Sequence, residues 1–357
     1  MFLLMRLLSR LPLRLLHALG AVAGWLTWLL SPTYRRRFAA NVAQAGLAPA
    51  QGRPAIASAG RMIAETAWLW LRPPTQPLGG MLRWDGAELI DQALAQGKGL
   101  LILTPHMGCF EVTAQAIAER WGDTHPITVL YRPARKPWMR DVVDASRGRP
   151  GLATAPANLA GVRQMIRALR QGQIVGLLPD QVPPEGLGTW VPFFGREAYT
   201  MTLAGRLVQQ TGAALLVIWG ERLPGARGYV ARVRPAPAIP AESTPESAAL
   251  LINKAMEDLI LQAPGQYLWG YHRYKQPRGL DIGVAKPEGK PGSYPGVGPD
   301  AGPLVRAAVA GPAVAAAFPA AADADGAGPG PGRLALAPGQ VAQAHCPAQP
   351  GAVLPRA

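Results

Sequence analysis

The sequence predicts an α/β fold, a single domain whose mostly buried mixed sheet is flanked by helices, preceded by an N-terminal membrane-anchoring helix. Short apolar runs recur at Leu100–Leu103, Ile127–Tyr131, Ile174–Leu178, Leu215–Trp219 and Tyr229–Val233. Helical patterns such as Val162–Leu169 and Met201–Gln209 stand between several of them, and strands alternating with helices form a layered sheet. Ahead of these, the stretch from Leu11 to Leu30 is apolar except for Arg14 and His17.

That first stretch has the borders of a membrane segment: Trp25 and Trp28 near one end, then Arg35, Arg36 and Arg37. Its uninterrupted part, Leu15 to Leu30, is short for a spanning helix, which needs roughly 20 apolar residues. It either spans with Arg14 snorkelling or lies in the interface. A signal peptide cut at Ala21-Val22-Ala23 fits less well, because the apolar run continues to Leu30. Arginines on both sides (Arg6, Arg10 and Arg14 before, three after) leave orientation unsettled.

Residues 1–31 thus form the anchor, and 32–85 a helical lead-in marked by Tyr34, Phe38, Val42, Ile63, Trp68 and Trp70 and ended by Pro73-Pro74. The main domain occupies 86–280. It begins with a helix over Leu89–Gln96, a Gly97-Lys98-Gly99 turn and the first buried strand. It closes with an amphipathic helix, Pro245–Leu261, leading into Tyr267-Leu268-Trp269 and Arg273-Tyr274-Lys275. From 281 to 357 Ala, Gly and Pro dominate without helix or strand period, so a disordered low-complexity tail is expected.

With 357 residues, 49% of them hydrophobic, the chain can bury a full core. Its two cysteines, Cys109 and Cys346, lie in unlike segments, which argues against a disulfide framework or a Cys-rich zinc site. No metal site is expected. The formal net charge of +14 resides almost wholly before residue 283 and calls for a polyanionic partner. The apolar anchor selects a membrane surface rather than nucleic acid, for which no binding signature appears.

The segment Pro105-His106-Met107-Gly108-Cys109-Phe110-Glu111 follows the most apolar predicted strand and opens a helix, Gly108–Trp121. The C-terminal ends of strands are where open α/β sheets place their sites. Across such a junction an imidazole can fold back onto a carboxylate. Glu111 is expected to set the tautomer of His106, leaving the other ring nitrogen as a general base. No Gly-x-Ser-x-Gly elbow supplies a nucleophile, so the substrate is expected to bring its own hydroxyl. Cys109 is a competing nucleophile, its thiol pKa lowered by the helix start, although packing of a small apolar side chain is the simpler reading.

In order along the chain, the His106–Glu111 block, Tyr131-Arg132-Pro133, Arg147 and Arg149, Leu178-Pro179-Asp180-Gln181, Val191-Pro192-Phe193-Phe194-Gly195 and the closing Tyr267-Leu268-Trp269 resemble the late acyltransferases of lipid A biosynthesis. This is the lauroyl and myristoyl transferase family, within the wider His-x4-Asp/Glu acyltransferase group. The resemblance runs from about residue 8 to 278. It implies O-acyl transfer to a hydroxyl of a 3-hydroxyacyl chain on a phosphorylated glucosamine disaccharide, from a thioester on the phosphopantetheine of acyl carrier protein, with no other cofactor. It further implies residence in the bacterial inner membrane with the catalytic domain on the cytoplasmic side. His106 and Glu111 would be catalytic, and an arginine at 147 or 149 would stabilise the oxyanion.

The residues themselves agree on the acceptor. Arg132, Arg135, Lys136, Arg140, Arg147 and Arg149 make a basic stretch suited to lipid phosphates. Asp180 and Gln181, at another strand end, either hold substrate or lock their loop. Val191 to Phe194 is expected to pack a loop, with lining of an acyl pocket the lesser option. The same His and Glu chemistry on a glycerophospholipid or a phosphoinositide mannoside is the enzymatic alternative. A non-catalytic basic membrane tether is the alternative outside enzymes.

Overall fold

Proline and cap chemistry set the N-terminal helices. In the computed structural model, which describes residues 2–131 and 149–277, Pro12 separates α1 (Phe2–Ser9) from α2 (Leu13–Leu30). The Ser31 hydroxyl accepts from the Tyr34 backbone N–H, and Pro32 occupies the first turn of α3 (Pro32–Gln44), where a missing N–H costs nothing. A short α4 (Pro49–Gly52) and the 18-residue α5 (Pro54–Leu71) follow.

The anchor helix is docked on the domain along its length. Leu13, Leu16, His17, Gly20 and Gly24 of α2 are buried against α5. Any Cβ at Gly60 would collide with the Gly20 carbonyl, and one at Gly24 with the Ile56 carbonyl, so glycine lets the two backbones touch. The opposite face leaves Leu15, Leu19, Val22, Leu26, Leu29 and Leu30 exposed at helical spacing. Length and composition allow α2 to cross a membrane.

The remaining elements are β1 (Leu82–Asp85), α6 (Ala87–Ala95), β2 (Leu100–Leu103), α7 (Phe110–Trp121), β3 (Ile127–Tyr131), β4 (Leu152–Pro156) and α8 (Leu159–Arg170). Next come β5 (Ile174–Leu177), β6 (Gly188–Phe193), β7 (Arg196–Met201), α9 (Leu203–Thr211), β8 (Ala214–Arg222), β9 (Tyr229–Pro235) and α10 (Pro245–Gln262). Strand order is β1-β9-β8-β2-β5-β3-β4, parallel except for the β8/β9 pair, so the sheet is mixed.

Both faces of the sheet are covered, which is why β2 reads as a continuous apolar run. Leu101, Leu103, Val175 and Val217 pack with α8, α9 and α10 through Met165, Leu207 and Met256. Leu100, Ile102, Ile174 and Ile218 pack with α6 and α7 through Ile90, Ile117 and Trp121. Expected strands and helices recur with ends shifted by at most three residues, as at the C-terminal end of β8, which runs on to Arg222.

Three features differ from expectation, β4 among them, since its sequence Leu-Ala-Thr-Ala-Pro is no strongly apolar run. Residues assigned to the helical lead-in include β1, which pairs with β9 at the sheet edge, because Leu82-Arg83-Trp84-Asp85 carries two charged residues and is no apolar run. The Val191–Gly195 segment is not a loop: Val191–Phe193 end β6, and Phe194 and Gly195, at φ +48° and +74°, turn the β6/β7 hairpin. Val191 and Phe193 are buried, the packing role expected of them. The anticipated tail and the arginines at 132, 135, 140 and 147, with Lys136, lie outside the described residues.

Candidate active site

The site follows from strand register. β2 and β5 are adjacent and parallel with Leu103 opposite Leu177, and the ladder continues through the Thr104 N–H to the Leu177 carbonyl at 3.0 Å. His106 and Asp180 each stand three residues beyond those paired ends, so parallel neighbours carry them to the same edge. His106 Nδ1 lies 2.7 Å from Asp180 Oδ1, and the His106 backbone N–H donates to Oδ2 at 2.9 Å. Both side chains are nearly sequestered, at 11% and 2% exposure. Ring and main chain are thus held by one carboxylate. Its second bond fixes the loop as well as the imidazole.

Asp180 therefore engages Nδ1, a partner the expected pairing of His106 with Glu111 did not name. Glu111 Oε2 accepts from the Trp70 indole N–H at 3.2 Å, in the first turn of α7 where a helix favours negative charge. A five-residue separation in sequence suggested one partner, and a distant strand end delivers another carboxylate to the ring. Burial opposes the charge of Asp180, yet the charge and hydrogen bonds of His106, with Arg273 behind, hold its carboxyl below the ordinary range. The phenol of Tyr267, raised by burial and then by the Asp180 charge, stays protonated beside it.

The loop between His106 and α7 is clamped. Gly108 donates to the Gln266 carbonyl at 2.9 Å and Cys109 to the Gly220 carbonyl at 2.7 Å, while Leu268 donates to the His106 carbonyl at 3.2 Å. Gly108 has φ +56°, and an added Cβ would strike the Gly220 carbonyl. The closing Tyr267-Leu268-Trp269 segment therefore braces the His106 loop. Cys109 is 1% exposed and, contrary to a helix-start effect, burial and the Glu65 charge push its thiol pKa well up. A protonated, enclosed thiol packs; it does not attack.

Between α7 and the sheet lies an apolar slot of about 80 Å³. Thr104, Phe110 and Glu111 line it near the His106 loop, and Ala114, Ile117, Val129, Gly176 and Leu177 line it further in. Gln181, beside Asp180, has a buried Nε2 with no hydrogen-bond partner among the described residues. Such a donor costs about 1–3 kcal/mol unless something accepts from it. Arg149 is placed otherwise. Its guanidinium donates to the Arg72, Leu69 and Pro73 carbonyls at 2.6, 3.1 and 3.3 Å, closing the C-terminus of α5. Burial and then Arg72 lower its pKa to about 10.

A second buried cluster escaped the sequence reading. Glu65 on α5 receives the Nε–H and one terminal N–H of Arg222, the Tyr229 hydroxyl at 3.1 Å and a His17 Nε2 contact at 2.9 Å. Arg222 also donates to the Gly108 carbonyl at 2.8 Å. The anchor helix is thereby linked to the His106 loop through two side chains. The only sequence signal was a lone glutamate inside an apolar helical stretch, Met62 to Leu71.

Compared with known proteins, residues 2–276 match the family model described as bacterial lipid A biosynthesis acyltransferase. The chain is 29% identical over 244 residues to the lipid A biosynthesis lauroyltransferase of Escherichia coli strain K12, covering 66% of this chain and 72% of that protein. It is 28% identical to the palmitoleoyltransferase of the same strain, covering 61% and 69%. With that strain's myristoyltransferase it shares 24% identity, covering 60% and 65%.

Proposed function

The chain belongs to the bacterial lipid A biosynthesis acyltransferase family, and from that membership and the site geometry we propose that it transfers a fatty acyl chain from acyl carrier protein to a hydroxyl on a lipid A precursor. The acceptor in this reading is the hydroxyl of a 3-hydroxyacyl chain on a phosphorylated glucosamine disaccharide. One observation carries the chemistry: an imidazole locked by a buried carboxylate at the in-register ends of β2 and β5, its ring 4.9 Å from Phe110, which lines an apolar slot.

With Nδ1–H held by Asp180, Nε2 is the ring nitrogen that takes the hydroxyl proton. The oxygen forms a bond to the thioester carbonyl carbon, and the carbonyl π pair moves onto oxygen. Collapse of that tetrahedral oxyanion breaks the C–S bond, and the imidazolium returns the proton to the departing phosphopantetheine thiolate. Asp180 stabilises the imidazolium between these steps and acts as a positioning residue. The unpartnered Gln181 Nε2 supports a role as a donor to a substrate oxygen. Glu111 lines the entrance of the slot, where it would meet the acceptor.

The slot would take the donor chain, excluding water from the thioester. The donor carries its own thioester, so no resident cofactor enters the reading. The docked α2 helix supports a membrane location, and a soluble acyl carrier protein as donor places the catalytic face on the cytoplasmic side of the inner membrane.

Mass spectrometry of lipid A from cells lacking or expressing the protein tests the proposal. A mass difference of one acyl chain is expected, absent with His106→Ala. An unchanged profile on deletion would overturn it.

A further inference from the structure

Where the anchor helix meets the domain, on the far side of the Gly108 loop from the apolar slot, there is a cleft of about 730 Å³. Its walls come from α2, from the start of α5 and from the β8/β9 turn, and they carry Arg14, Arg61 and Arg227 over a floor containing His17 and Arg222. No carboxylate lines it. The nearest acid, Glu65, is already taken up by Arg222, His17 and Tyr229. Arg14, Arg61 and Arg227 have no ion-pair partner among the described residues. Partial burial and then the neighbouring Arg222 charge lower the Arg61 pKa, outweighing the opposing charge of Glu65.

We propose that this cleft binds the phosphomonoester headgroup of a membrane lipid, at a site separate from His106. A phosphomonoester brings close to two negative charges and three acceptor oxygens, which planar guanidinium forks match. A lipid source follows from position. Arg14 sits on α2 next to Leu15 and Leu19, the start of the exposed apolar face, so the cleft opens where that face would meet acyl chains. Occupancy would also bear on chemistry, since Arg222 on the floor holds the Gly108 carbonyl two residues from His106. The inference rests on the cleft and not on acyl transfer, and binding tests it independently of activity.

The full-length protein is to be titrated with phosphatidylcholine vesicles containing either phosphatidic acid, a phosphomonoester, or phosphatidylglycerol, a phosphodiester, at matched surface charge. Tighter binding to phosphatidic acid is expected, by about tenfold, the worth of one charge-assisted hydrogen bond to the extra phosphate oxygen. In the Arg61→Gln/Arg227→Gln double variant that ratio should fall to unity. The Arg61→Lys/Arg227→Lys pair, which keeps the charge and loses the forks, guards against misfolding. It should retain binding to phosphatidylglycerol while the ratio drops. A ratio of one in the wild type, or one that survives both double variants, overturns the proposal. So does thermal stabilisation of the wild type alone by inorganic phosphate with no phosphatidic acid preference, which would make this a site for soluble phosphate.

Discussion

Replacing Asp180 by Asn keeps the shape of the side chain but turns its charged acceptor into an amide. The carboxylate holds His106 through two bonds of 2.7 and 2.9 Å in a site where its own side chain is 2% exposed. Removing one partner from a buried pair costs about 3–5 kcal/mol. If that loss falls on the transition state, where the imidazolium forms, the rate drops about 150- to 5000-fold at 1.36 kcal/mol per decade. Asp180 does not touch the acyl chain, so kcat should fall while KM for the acyl donor holds. The assay is acyl transfer by purified protein across pH, with Glu111→Gln measured beside it and thermal melts confirming both folds. Asp180→Glu, which keeps the charge with a longer arm, should recover part of the rate. Should Asp180→Asn stay within about tenfold of wild type while Glu111→Gln abolishes turnover, the assignment of Asp180 as the positioning residue fails.

Four further outcomes follow from the same structure. Burial opposes the Glu65 charge, but Arg222 and His17 outweigh it and lower its pKa from 4.5 to about 2. A depressed carboxylate contributes stability that is complete above about pH 4.5 and lost as pH falls towards 2, on the order of 3 kcal/mol. Glu65→Gln should flatten that acid limb in chemical denaturation and cost about 3–5 kcal/mol at neutral pH, because Arg222 is left buried without its partner. Gly60→Ala should lower the melting temperature through about 1–3 kcal/mol of overpacking between α2 and α5, where the new methyl meets the Gly20 carbonyl. A larger side chain at Ala114, which lines the slot, should shift donor preference to shorter chains in competition assays, by about fourfold per methylene excluded. Cys109→Ser should retain turnover, and the native thiol should resist alkylation at neutral pH, since it is enclosed and its pKa is raised.

Local pattern alone determined much of this protein. Apolar runs marked β2, β3, β5, β8 and β9, because strands buried on both faces read as continuous hydrophobic stretches. The strand-to-helix junction identified His106. The apolar stretch before residue 31 identified α2, although its docking against α5 was not legible, because paired glycines carry no signal until two backbones meet. β1, β4 and the β6/β7 hairpin escaped notice, the first two because LRWD and LATAP are not apolar runs and the hairpin because Phe-Gly is not a common turn pair. Only the tertiary structure placed a carboxylate on Nδ1 of the histidine. Sequence proximity favoured Glu111, five residues away. Parallel pairing of β2 with β5 delivers Asp180, 74 residues away, to the same edge, and strand register is a property of the assembled sheet.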